Sequence, residues 1–348
     1  MTQPTRRLLV SVLALTMAAC GGSTSPTAQP TTPPGTAAAT TPAATDAGTP
    51  RPTPIPRATG AALGDKLLAT ITVSAAPCAF AIDATGVWVT SNTSGALEKI
   101  DPATNTVVQH AIVGVGPCGM AIGPDGRIWI ADLGKGAVLA VDPATLKVTA
   151  TIDGIGPALW DLKAGFGSIW VADRKNKNLL RIDPAKAKIV ATIPIGSQPS
   201  GIAIQDDGVW VTDDIDYQLR RVDPTTNKVA ETIKASGTPS WFVDDAKSTL
   251  LVTERGTGKV QSVDSAAGTL GDPIGGFDEP LDGTIFEGKA WIPEGSGHRL
   301  SVIDLANPTA EVVRYGLPNA INPFVAEPAF GDIWVLDFGG TTVWRIRP

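Results

Sequence analysis

Three carboxylates and two cysteines occupy matched places in a periodic chain. A proline returns at residues 77, 117, 157, 199, 239, 280 and 323, every 40 to 43 residues. Cys78 and Cys118 directly follow two of these prolines. Asp282 stands two residues after its own, and Asp161 and Glu327 stand four after theirs. Most other units carry alanine or glycine at these places, as in Ala79, Gly119, Gly201, Ala81, Ala121 and Ala203. Side chains alternate along a strand, so the second and fourth places share a side, and Asp161, Asp282 and Glu327 can project into a common channel. Oxygen ligands of this type hold a divalent cation; solvated acids lining a watery channel are the competing reading. The cysteines form a disulfide, two free thiols (a redox pair if accessible) or part of a thiolate metal site. A bridge needs Cα atoms within about 7 Å, and neither His110 nor His298 falls in register with them. Trp241 replaces a small residue near the same mouth and could offer a ligand a flat apolar face. Trp160 is one place off that column and is read as core.

The elements that position these residues are strands. A hydrophobic triplet follows each proline by about ten residues, centred on Trp88, Trp129, Trp170, Trp210, Leu251, Trp291 and Trp334. Within a unit the apolar runs are short, alternating and β-branched, as in Ile128 to Ile130 and Val148 to Ile152, and turn residues separate them. Gly123-Pro124-Asp125-Gly126 and Asp142-Pro143-Ala144-Thr145 are hairpin turns, because proline presets φ and glycine tolerates positive φ. Four antiparallel strands per unit, repeated seven times, predict an all-β chain folded as a seven-bladed β-propeller with four-stranded blades. The stretch LLATITVSAAP from Leu67 matches IVATIPIGSQP from Ile189, a fourth strand, whereas the C-terminal TTVWRIRP stops where its own fourth strand should start. The N-terminal strand is therefore expected to complete the last blade and close the ring, leaving no exposed edge. The triplet tryptophans are expected to pack blade on blade.

The segment VWVTSNTSGALEKIDPATNTVV, Val87 to Val108, resembles the YVTN-type propeller repeat, and PCGMAIGPDGRIWIAD is similar to repeats of the virginiamycin B lyase family. The resemblance covers roughly Leu67 to Pro348 and implies the fold. In that lyase family catalytic histidines follow the opening proline; here the places hold Cys78, Cys118, Ala158, Ser200, Ser240, Leu281 and Phe324, so the resemblance does not carry the activity. Channel carboxylates holding a cation are what a likeness to propeller lactonases implies.

Residues 1–19 read as a secretory signal: Arg6 and Arg7, an apolar run from Leu8 to Met17, and small residues before Cys20. They resemble a bacterial lipobox, which implies cleavage before Cys20 and a lipid on its sulfur, with Met17 in place of the usual leucine. Residues 20–60 are rich in Thr, Pro, Ala and Gly and cannot bury enough surface to fold; they form a tether of at most about 120 Å at ~3.1 Å per residue. The propeller spans 61–348. The formal charge is −6; loss of Arg6 and Arg7 with the leader leaves 26 basic against 34 acidic residues. A chain of that balance is a poor partner for nucleic acid.

The loops from second to third strand carry Arg174, Lys175 and Lys177 in unit three, and Asp213, Asp214, Asp216 and Tyr217 in unit four. Glu254 and Arg255 follow in unit five, Glu294 and His298 in unit six. They read as a solvated rim or, with Trp241, as a face for a small molecule or protein, with Arg174, Asp214, Tyr217, Arg255 and His298 as contacts. No nucleophile elbow, phosphate loop or HExxH occurs. The expectation is an extracytoplasmic, lipid-anchored, monomeric binding or scaffold module, with no cofactor required. The alternative is a metal-dependent lyase or lactonase using Asp161, Asp282 and Glu327 around a divalent cation.

Overall fold

The computed structural model describes residues 60–309 and 311–348. The expected signal, Cys20 and most of the tether lie outside the described residues. Apart from one 3-10 turn at Gly64–Lys66, the described secondary structure is strand. Five separate four-stranded antiparallel sheets and one nine-stranded sheet account for it. In the first unit Pro77–Asp83, Gly86–Ser91, Ala96–Asp101 and Thr106–Ile112 pair in chain order. The nine-stranded sheet is units five and six, joined where Val243 and Asp244 pair in parallel with Gly283 and Thr284, with Ala61–Ala62 added in parallel at Tyr315 and Gly316. There the four-strand pattern thins: the fourth strand of unit five is only Thr269–Leu270. The outer strand of the last sheet is Leu67–Thr72, antiparallel to Thr342–Ile346.

The opening strand of each unit touches that of the next, and that of the last unit touches that of the first. The core follows the same order. Each apolar cluster straddles two consecutive units, and one joins Phe80, Val87 and Val89 of the first to Val325, Trp334 and Leu336 of the last. The tryptophans of the triplets are buried in these seams. This is the architecture of a β-propeller, with the opening strands innermost.

Polar staples reinforce the seams. Arg345, its guanidinium 5.3 Å from the Trp334 ring, donates across to Pro102 O at 2.5 Å and Asn105 Oδ1 at 2.9 Å. Arg181 does the same to Pro224 O and Asn227 Oδ1. The Asp-Pro turns therefore have a second use: their carbonyl and asparagine receive an arginine from the preceding unit.

Candidate functional site

Three residues beyond each triplet centre stand Ser91, Asp132, Asp173, Asp213, Glu254, Glu294 and Asp337, all buried. Except at Asp173, which accepts Asn176 N at 3.1 Å and Asn176 Nδ2 at 2.8 Å, the carboxylates accept backbone N–H groups of the loop entering the same unit. Asp132 takes Val115 and Gly116 at 2.9 and 2.8 Å, Asp213 takes Ser197 and Gln198 at 2.9 and 3.0 Å, and Glu254 takes Ser236 and Gly237 at 3.1 and 2.9 Å. In the first unit Ser91 is too short, and Glu98 from the third strand accepts Ser74 N at 2.8 Å instead. Asp213, Glu254 and Glu294 thus form no solvated rim. They are charge-assisted hydrogen-bond acceptors that fix loops, and the fixed interval after the triplet was the signal for them.

Tyr217 and His298 occupy the left-handed turn position filled elsewhere by Gly95, Gly136 and Gly258, with φ of 53° and 52°. Their carbonyls accept Ala235 N and Leu317 N. The turn uses their backbones.

At the axial end where the opening strands begin, Cys78 and Cys118 are disulfide-bonded, with Cα atoms 5.0 Å apart. The bridge is buried, which argues against an accessible redox pair. Beside it Trp241 meets Trp160 at 6.4 Å between ring centroids and Phe324 edge-on at 5.1 Å. Trp241 is only 5 % exposed, so it fills the axis and presents no open face. Trp160 corrects the expectation of a core ring. Leu162, facing Val171, takes the level that Met120 and Ile202 hold against Ile130 and Val211, so unit three runs two residues out of step with its proline, Leu159 is buried in the core and Trp160 is half-buried among these rings. Arg174 lies 4.8 Å over Trp160 and donates to Asp214 at 3.0 Å. Burial pulls the Arg174 guanidinium down and pushes the Asp214 carboxyl up from their ordinary ranges, with each partner opposing the other's shift. Arg255 pairs with Glu279 at 3.3 Å. The free volume here is about 20 Å³.

Beyond the plug lies a cluster that joins the three expected carboxylates, Asp161, Asp282 and Glu327, to Lys163 and Asp244, which sequence reasoning missed. The Lys163 ammonium is 3.9 Å from Asp282 and 3.7 Å from Glu327. Asp161 is turned to backbone, accepting Leu162 N at 2.7 Å and Ile202 N at 2.8 Å across to the next unit. Asp244 completes the set, accepting Ala246 N at 2.7 Å. Among the described residues of this cluster, four carboxylates face one ammonium. Burial raises all four carboxyls, Asp282 well above its usual range and Asp244 to about 6, with Lys163 partly offsetting each. Burial pulls Lys163 down, but Asp282, Asp161, Glu327 and Asp244 outweigh it and hold the ammonium well above its ordinary value. Lys163 stood six residues past Pro157 and could have been found by extending the alternation of the column one step.

Lys163, Asp244 and Glu327 of the cluster form the base of a cavity of about 410 Å³ that opens where the opening strands end, with apolar walls that include Phe80, Ile82, Met120, Ile122 and Ile204, whereas Asp161 and Asp282 face the plugged side. The sequence pointed to the opposite mouth. The carboxylates fit a divalent cation poorly, since the Lys163 ammonium sits against both Asp282 and Glu327 and both Asp161 oxygens are engaged. Among the described residues no group of three His, Cys, Asp or Glu side chains is arranged to hold a metal.

No protein-family model matches the chain. Among solved structures, virginiamycin B lyase from Staphylococcus aureus is similar with a TM-score of 0.70 and 14 % identity, over 80 % of this chain and 98 % of that one. A streptogramin B lyase structure is similar with a TM-score of 0.69 and 14 % identity, over 80 % and 97 %. Hydrazine synthase of Kuenenia stuttgartiensis follows with 0.68 and 16 %, over 78 % and 96 %. A gluconolactonase of Zymomonas mobilis is 47 % identical over 38 residues, and the match spans 11 % of this chain and 11 % of that protein. At these identities the structural likeness is one of fold: the chain has a β-propeller fold like that of the virginiamycin B lyases.

Proposed function

We propose that this chain is a binding module whose ligand, a small organic cation, enters the axial cavity and sets its charge against Asp244 and Glu327, with Asp282 behind them on Lys163. One observation carries the reading: a cavity of about 410 Å³ with apolar walls ends on buried carboxylates that outnumber the ammonium among them. Buried charge must be paired or neutralised, and a ligand ammonium does this while its hydrocarbon part covers the walls. The wider reading is a closed seven-bladed ring, monomeric and extracytoplasmic, held to a membrane through a lipid on Cys20. The pairing of Leu67–Thr72 with Thr342–Ile346 and the core shared by the first and last units support the closure. The leader-like residues before Cys20 support the address. Mass spectrometry of membrane-extracted protein, showing diacylglycerol on Cys20, tests the anchor.

Calorimetric titration with benzylamine and cadaverine tests the site. Saturable binding that weakens tenfold or more in an Asp282→Asn, Glu327→Gln variant is expected; no heat with either amine, or heat unchanged in the variant, overturns it. The second reading is a lyase or lactonase, to which the solved neighbours and the short gluconolactonase match lend support. Stoichiometric Ca²⁺, Mg²⁺ or Mn²⁺ binding lost in the same variant, with turnover of a lactone, would favour it.

A further inference from the structure

Gln205 ends the opening strand of unit four, Pro199–Gln205. Its side chain is sealed from solvent at 3 % exposure, yet neither the amide nitrogen nor the amide oxygen has a hydrogen-bond partner among the described residues. Native proteins satisfy nearly all buried polar groups, so an idle donor and acceptor on one side chain call for a cause. The indole partner is not that cause. In other units the indole of the triplet tryptophan is held by Asp83, Asp125, Gly165 O or Ala329 O, and in unit four Asp207 takes Trp210 Nε1 at 3.1 Å.

The amide lines a separate pocket of about 120 Å³ between units four and five, outward of the axial cavity. A single water needs only about 10–15 Å³ by this measure, so the space exceeds a bridging water several times over. Leu250 and Val263 make an apolar wall, and Asp206, Lys247, Ser248 and Ser265 add polar groups around it. Asp207 is engaged by Trp210 and lies 3.6 Å from Arg221. Trp210 itself is 1 % exposed and offers no ring to stack on.

We infer that this pocket is a binding site for a neutral polyol, such as a terminal sugar residue, with the Gln205 amide gripping two adjacent hydroxyls. A carboxamide presents one donor and one acceptor side by side, and neighbouring hydroxyls, each able to give and accept, meet both. The surrounding carboxylate, ammonium and serine hydroxyls extend the same hydrogen bonding to further hydroxyls. Recognition rests on hydrogen bonds without aromatic stacking.

Ligand-observed NMR on the full protein with methyl α-glucopyranoside, methyl α-mannopyranoside, myo-inositol and acetamide tests this. Saturable binding of at least one polyol is expected, reduced tenfold or more in Gln205→Leu. The same variant should melt at a temperature equal to or above that of the parent, because the substitution removes an unsatisfied buried amide without removing volume. Absence of polyol binding, binding undiminished in Gln205→Leu, or acetamide binding in place of every polyol overturns the inference. So does a Gln205→Leu protein that melts several degrees lower, since an amide bridged by structural water would then be the better account. The pocket lies apart from Lys163, so Asp282→Asn, Glu327→Gln should leave polyol binding intact.

Discussion

At one end of the axis Trp160, Trp241 and Phe324 meet ring to ring beside a disulfide and leave about 20 Å³; at the other the same strands part around about 410 Å³ with Lys163 at its base. The plugged end is closed by apolar contact and a covalent bond, neither of which depends on pH. The open end is held by a buried charge cluster whose members share too few counter-charges. One construction, seven opening strands side by side, therefore yields a rigid seal and an electrostatically poised cavity. Side chains at the first to third places after the proline form the first, and those from the second, Asp282, to the sixth, Lys163, form the second.

The difference can be broken most sharply at Lys163. Lys163→Met leaves four carboxylates, one buried and three half-buried, without their ammonium, and stripping one partner from such a cluster costs up to about 3–5 kcal/mol. Urea unfolding at pH 7.5 should show that loss, and at pH 4.5 the loss should shrink as carboxyls take up protons; an equal loss at both values would mean that Lys163 acts through packing alone. At the plugged end, Cys78→Ser with Cys118→Ser should cost about 2–4 kcal/mol through the 40-residue loop it opens. That loss should be the same at both pH values, and a pH-dependent loss would undo the contrast between the ends.

A smaller effect sharpens the electrostatic side. The Asp244 carboxyl is raised to about 6, burial outweighing Lys163, so the folded state holds a proton there that the unfolded chain has released. Its stabilising share is complete below the ordinary carboxyl range and is lost as pH rises through about 6, on the order of 2 kcal/mol. Asp244→Asn should flatten the fall in stability between pH 4 and 7; a variant curve parallel to the parent's would assign the titration to another group. The smallest effect belongs to Asp214→Asn. This pair with Arg174 is partly open to solvent, and exposed pairs contribute about 1 kcal/mol or less. A change beyond about 2 kcal/mol in thermal unfolding would show that the pair helps to hold the aromatic plug.

Much of the fold was legible because a propeller writes its period into the chain. The prolines, triplets and Asp-Pro turns each sit where one backbone requirement repeats, and the Leu67–Thr72 match to a fourth strand identified the edge that it pairs with. Less of the site was legible. Trp160 escaped because the pairing in unit three is offset by two residues from its proline, so a column counted from Pro157 is misaligned. Asp213, Glu254 and Glu294 looked like surface acids because charge in a loop sequence carries no sign of the backbone N–H groups that will surround it.

The sequence by itself determined the repeat, the strand order, the pairing partner of the N-terminal strand and the adjacency of Cys78 and Cys118, since all of these follow from local period and register. Only the tertiary structure decided which end of the axis is open, that Lys163 sits among Asp161, Asp244, Asp282 and Glu327, and that Gln205 is buried without a partner. Those facts depend on where side chains from units three to seven meet, and distances between units are set by the twist and packing of successive sheets, which no single unit encodes.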